Sequence, residues 1–158
     1  MQQRIDHMKS AHGVFEAMRR IESYLQKSGL DHKLRHLIKV RASQINGCAY
    51  CIDMHWKDAR AAGETEQRLY GLDAWQESPY YTDRERAVLA WTEAVTNIRE
   101  GHVSDEVFAE IKKYFNEKEI GDLTLAVAQI NASNRLAIAA RAPAGSYQPG
   151  MHEVKKVA

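Results

Sequence analysis

A helical apolar period recurs along nearly the whole chain, and residues that cap helices interrupt it at short intervals. Val14, Met18, Ile21 and Leu25 step by four, three and four, which predicts an apolar stripe on a helix ending at Gly29. Asp31 is placed to cap a second helix, in which Leu34, Leu37, Ile38, Arg41 and Ile45 fall on or near one face. Asn46-Gly47 breaks that helix, and a third is expected from Cys48 to Gly63. Thr65 caps a short helix through Leu69, and "GLDAWQESPYY" after it reads as the longest loop. "TDRE" at 82–85 and "NEKE" at 116–119 are capping boxes, in which the first and fourth residues each satisfy the other's backbone amide.

The helix after the first box should turn Val88, Trp91, Val95 and Ile98 inward. Ser104 should cap another that buries Val107, Phe108 and Ile111. The last helix, Glu117 to Ala140, is apolar on more than one face, so it lies centrally or is covered by another subunit. No run of alternating β-branched residues is long enough for a strand. The expected fold is therefore all-α, a single-domain helical bundle over residues 1–142 with an extended tail over 143–158.

Charge narrows the function. Lys and Arg number 22 against 21 Asp and Glu, with the signs interspersed, which argues against a nucleic acid or an anionic membrane as partner. The first twenty residues lack the uninterrupted apolar stretch of a signal peptide. "LTLAVAQINASNRLAIAA" is broken by Gln129, Asn131, Asn134 and Arg135, so it does not read as a membrane span. A cytoplasmic location follows as the expectation. In that reducing compartment, two cysteines three residues apart suit redox chemistry or metal binding better than a structural staple.

Those cysteines stand in "NGCAYCIDMHW", residues 46–56. At the start of a helix, unpaired amides and the positive end of the dipole favour the thiolate. His55, four residues after Cys51, shares its helical face and can take a thiol proton. The stretch thus holds a nucleophile, a resolving thiol and a base. Two other readings stay open. Cys48, Cys51 and His55, with His32 or His36, could bind zinc, or the thiols could be inert and buried. A c-type haem is excluded, because Ile52 stands where the histidine must be. His7, His12, His102 and His152 read as surface residues, and Trp56, Trp75 and Trp91 as core. Asn131 and Asn134 read as satisfying buried backbone or lying at a subunit contact.

"LIKVRASQINGCAYCIDMHWKDARAAGE" at 37–64 resembles the core motif of alkylhydroperoxidase-D-like proteins in the carboxymuconolactone decarboxylase superfamily. "RERAVLAWTEAVTNI" at 84–98 and "NRLAIAARAPAG" at 134–145 resemble the same family's later helices. The resemblance implies a helical bundle that assembles as a trimer or hexamer. It also implies a peroxidase or disulfide reductase with Cys51 attacking, Cys48 resolving and His55 relaying protons, without a bound cofactor or metal. The expected partners are a hydroperoxide substrate and an external dithiol reductant. Twelve residues before the first cysteine, where the family commonly has a glutamate, this chain has His36, which can also pass a proton near neutral pH. The alternatives are a non-catalytic redox-sensing or metal-binding module, and a lactone decarboxylase with incidental cysteines.

Overall fold

The computed structural model describes residues 2–151, apart from the side chains of residues 7 and 8, so the expectations for His7 and His152 as surface residues lie outside the described residues. The helices are α1 (His7–Ser10), α2 (His12–Lys27), α3 (His32–Asn46), α4 (Ala49–Ala61), α5 (Glu66–Tyr70), α6 (Asp83–Thr96), α7 (Asp105–Ile111) and α8 (Glu117–Ala140). Single 3-10 turns occupy Gly71–Ala74 and Ile98–Glu100. There is no strand among the described residues, and the chain is an all-α single domain.

The expected caps are present. Asp31, Thr65 and Ser104 accept first-turn amides, and both capping boxes close in both directions. Each cap stabilises its helix start by about 1 kcal/mol and fixes where the chain changes direction.

α3 is the hub, packing against α4, α6 and α8, and every residue from Leu34 to Val40 is buried. The single apolar face expected of it is in fact two. Leu34, Ile38 and Ala42 enter one core with Leu25, Trp91, Leu123 and Val127, whereas Leu37 and Val40 enter a second with Ala59, Leu69, Leu72 and Leu89. A third face carries Arg35, His36 and Lys39. A helix of mixed composition is buried all round here because different neighbours cover each of its sides.

Three local expectations are corrected. Residues 71–81 do not form a loose loop: Leu72, Trp75 and Tyr81 belong to the second core. Arg86 replaces regular structure there by donating to the carbonyls of Trp75, Gln76, Ser78 and Tyr81. Glu93 accepts from the Trp75 indole at 2.7 Å and from Arg41 at 2.8 Å, tying the segment to α6 and α3. Ile98 and Phe108 are not inward but 50% and 42% exposed, because α6 ends at Thr96 and the Phe108 ring lies out over Trp91. Val14 is also exposed; it lines a cavity and not the core.

Where α3 ends, a polar network joins it to α8. Asn46 donates to the Asn131 and Asn134 side-chain oxygens at 3.0 and 2.9 Å and to the Ala42 carbonyl at 2.9 Å. Asn134 donates to Ser43 Oγ at 3.0 Å, Ser43 donates to the Lys39 carbonyl, and Asn131 donates to the Val127 carbonyl. Asn134 has no solvent exposure. Replacing it by alanine leaves Asn46 and Ser43 short of partners, so Asn134→Ala is expected to lower unfolding free energy by about 2–4 kcal/mol. Urea titration of the two proteins checks this, and equal midpoints would show that the network does not hold the junction.

Candidate active site

The turn from α3 into α4 begins at Gly47, whose φ of +67° is the left-handed geometry that ends a helix and that glycine adopts without strain. The Cys48 amide returns to the Ser43 carbonyl at 3.0 Å, and Cys48 becomes the N-cap of α4. Its Sγ accepts the Cys51 backbone N–H at 3.3 Å, the role a serine or aspartate oxygen plays at other helix starts. Cys48 and Cys51 are joined as a disulfide with Cα atoms 5.3 Å apart, and both are 1% exposed.

Cys51, His55 and Ala59 follow one another at helical steps and are the buried residues of α4. His55 Nδ1 lies 3.9 Å from Asp58 Oδ2, and the other Asp58 oxygen accepts the Tyr147 hydroxyl at 2.7 Å. Burial first, then the bond to Asp58, pushes the Tyr147 phenol up and keeps it protonated. Tyr50, between the two cysteines, is also pushed up, by burial and then by Asp53 and Asp58.

Residues 143–151 are not a free arm. The Gly145 amide donates to Asp53 at 3.1 Å, while Lys57 donates to the Gly145 and Tyr147 carbonyls at 3.3 and 3.0 Å. The extended stretch is thereby strapped along α4.

Beside α4 lies a cavity of about 640 Å³. Its walls come from α2, α3, α4, α8 and both terminal segments, and they include Phe15, Met18, His36, Tyr50, Met54, His55, Gln129 and Leu136. Neither cysteine is among the lining residues, but Tyr50 and His55, their neighbours on α4, are. His36 and His55, predicted to act together, therefore share one cavity. The described residues contain no group of three or more His, Cys, Asp or Glu side chains able to hold a metal ion.

His36 is buried against the edge of the His32 ring, with centroids 4.3 Å apart. Burial, then His32, Lys39 and Arg35, lowers its pKa from 6.5 to about 4, so it is a neutral imidazole at pH 7. Nearby Glu22 accepts from Lys39 at 2.8 Å and from Arg35 at 3.3 Å. Burial alone would raise the Glu22 carboxyl, but these two cations outweigh it and hold it below its ordinary value.

Asp58, Tyr147, Gln129 and the Glu22 cluster were not anticipated. Asp58 had a legible signal, three residues after His55 on one helix. Tyr147 and Gln129 reach the site only through tertiary packing, and Gln129 had registered merely as a polar break in an apolar stretch.

The sequence model of the Carboxymuconolactone decarboxylase family matches residues 12–94. The chain belongs to this family. Within the family it is alkylhydroperoxidase-D-like. It is 42% identical to the uncharacterized protein YdfG of Bacillus subtilis over 88% of this chain and 95% of that one. It is similar also to a crystal structure from Agrobacterium tumefaciens, of a protein of unknown function proposed there to be the antioxidant defence protein AhpD. That match has a TM-score of 0.89 at 42% identity and covers 92% of this chain and 100% of the other. The debrominase Bmp8, solved with 2,3,4-tribromopyrrole, shares the fold with a TM-score of 0.77 at 20% identity, covering 88% of this chain and 74% of that one.

The state of His36 has a thermodynamic consequence. Its folded pKa lies below its unfolded one, so between pH 6.5 and about 4 the unfolded chain binds the extra proton. The stability from keeping His36 neutral is complete above pH 6.5 and is lost as pH falls toward 4, by up to roughly 3 kcal/mol. Urea midpoints measured across that window should fall with acid in the native protein and fall less in His36→Leu. Equal slopes would refute the assignment.

Proposed function

We propose that the protein is an enzyme, a thiol-dependent peroxidase or disulfide reductase that works through Cys48 and Cys51. The observation that carries this reading is the cysteine pair at disulfide distance on the first turn of α4, with His55 one turn further on the same buried face. The closed disulfide corresponds to the product of one turnover.

In the reduced enzyme His55 takes the Cys51 proton, and the Asp58 carboxylate stabilises the imidazolium. The first-turn amides and the helix dipole stabilise the thiolate. That thiolate attacks one oxygen of a hydroperoxide; the O–O bond breaks, the alkoxide takes the proton from His55, and Cys51 is left as a sulfenic acid. The Cys48 sulfur then displaces hydroxide from Cys51, forming the disulfide and releasing water. Two electrons have passed to the peroxide, and an external dithiol restores them by thiol–disulfide exchange. No bound cofactor enters the cycle. His36, neutral at pH 7, can accept a proton on one nitrogen while giving one from the other, which is the role proposed for it in the relay.

A homo-oligomer, trimer or hexamer, belongs to the same proposal and is supported by apolar Ile138 exposed on α8. A cytoplasmic location supplies the dithiol; no helix of the described residues is long and apolar enough to cross a membrane.

Thiol titration of the reduced protein before and after one equivalent of cumene hydroperoxide should show the loss of two thiols per chain, restored by dithiothreitol. Cys51→Ser should consume no peroxide above the reductant background. Cys48→Ser should turn over once and leave a sulfenic acid that dimedone traps. Peroxide consumption by Cys51→Ser at the native rate would end the proposal.

A further inference from the structure

After α8 the chain turns back over α4 and roofs the cavity, which Ala142, Pro143, Ser146, Tyr147, Pro149 and Gly150 all line. An ion pair, not regular structure, satisfies the backbone of this strap. Asp53 and Lys57, 2.9 Å apart on α4, take the Gly145 amide and the Gly145 and Tyr147 carbonyls between them. Tyr147 is thereby carried to α4, where it is 5% exposed and its hydroxyl donates to Asp58 Oδ1 at 2.7 Å.

That hydroxyl governs where Asp58 points. An aspartate three residues after a histidine on a helix is one rotamer away from solvent, and such a pair holds weakly where water reaches it. Asp58 is so placed: its side chain is 26% exposed, with Oδ2 3.9 Å from Nδ1 of the buried His55. A phenol at 2.7 Å makes the short, strong kind of hydrogen bond that an anion accepts, and by fixing Oδ1 it keeps the second oxygen turned to the imidazole. Burial, then this same bond, holds the phenol protonated, so it stays a donor and exchanges no proton in the reaction.

We infer that Tyr147 is a positioning residue for His55: brought in by the strap over residues 143–151, it holds Asp58 against the imidazole, so the proton relay is complete only while the strap is docked on α4. As a statement about catalysis this rests on the peroxidase reading; as a statement about what orients Asp58 it does not. A hydrogen bond also draws off part of a carboxylate's negative charge, which opposes the imidazolium. The two effects differ in size. Sharing a phenol proton removes a fraction of the charge, whereas a carboxylate that swings out into water loses most of its hold on the imidazolium through distance and screening together. Loss of the hydroxyl should therefore weaken the imidazolium. Tyr147→Phe isolates that loss, because it keeps the buried ring and leaves the backbone latch at Asp53 and Lys57 intact.

The test is a double-mutant cycle on the full chain: native, Tyr147→Phe, Asp58→Asn and the two combined. In the oxidised proteins the titration midpoint of His55 is followed by NMR. Tyr147→Phe should move it to lower pH, as Asp58→Asn does, and the double variant should sit where Asp58→Asn alone sits. The other ionisable groups lining the cavity, among them Asp6, Glu22, Arg35, His36, Lys39 and Tyr50, are the same in all four proteins and cancel in the comparison. In the reduced proteins, single-turnover oxidation by cumene hydroperoxide at pH 7 should slow roughly tenfold in Tyr147→Phe, and the double variant should be no slower than Asp58→Asn. A midpoint that stays in place or rises in Tyr147→Phe, effects of the two substitutions that add, or a native oxidation rate in Tyr147→Phe would each overturn the inference. If the native protein consumes no peroxide, the peroxidase proposal falls, and the His55 midpoints of the oxidised proteins still decide whether Tyr147 orients Asp58.

Discussion

The structure depends on the way α3 stops. The helix is buried from Leu34 to Val40 and only half-buried in its last turn, where its final carbonyls and the reversing chain still need partners. Gly47 supplies the left-handed backbone, and the Asn46, Asn131, Asn134 and Ser43 side chains supply the hydrogen bonds across to α8. With that junction fixed, α4 can begin in only one place, and Cys48 is its N-cap. The cysteine pair is therefore positioned by its own turn at Gly47 together with the Asn131 and Asn134 amides from the middle of α8. The cost of disturbing the junction falls on the cores and on the sulfurs together.

Around this rigid point the electrostatics are divided between two walls. On α4, His55 faces Asp58, whose second oxygen is held by the Tyr147 phenol, so the carboxylate stays fixed against the imidazole by a strap from the far end of the chain. On α3, His36 sits beside Lys39 and Arg35, which share the one Glu22 carboxylate, and burial first, then these neighbouring charges, keeps it uncharged. A glutamate in that position would add a second carboxylate to the wall beside Glu22. The histidine brings none, and in the proposed relay it would act through its two nitrogens without changing net charge.

Legibility in the sequence followed the range of the interactions. Asp31, Thr65, Thr82, Ser104 and Asn116 were readable because a cap is settled within four residues, and the helical periods between them gave the fold class. The Cys48, Cys51 and His55 pattern was readable for the same reason. Ile98 and Phe108 misled because periodicity tells which residues share a face but not whether that face is covered. The segment 71–81 misled in the opposite way: it has no period, yet its apolar residues are buried, since a single arginine eleven residues downstream of Trp75 can satisfy carbonyls that regular structure would have paired. Gln129 was invisible as a cavity-lining residue, because a lone amide in an apolar helix acquires its place only from tertiary packing.

The position of the sulfurs separates recognition from reaction in the proposed enzyme. Both are almost wholly shielded, and the cavity meets α4 at Tyr50 and His55, not at the disulfide itself. A thiolate so enclosed gains from the first-turn amides and the dipole without competition from water, which strengthens each of those interactions. The same enclosure limits which oxidants arrive. Reactivity in the proposed enzyme then resides at one helix start, and His55, which belongs to both the cavity lining and the cysteine face, is the side chain that joins cavity and sulfurs.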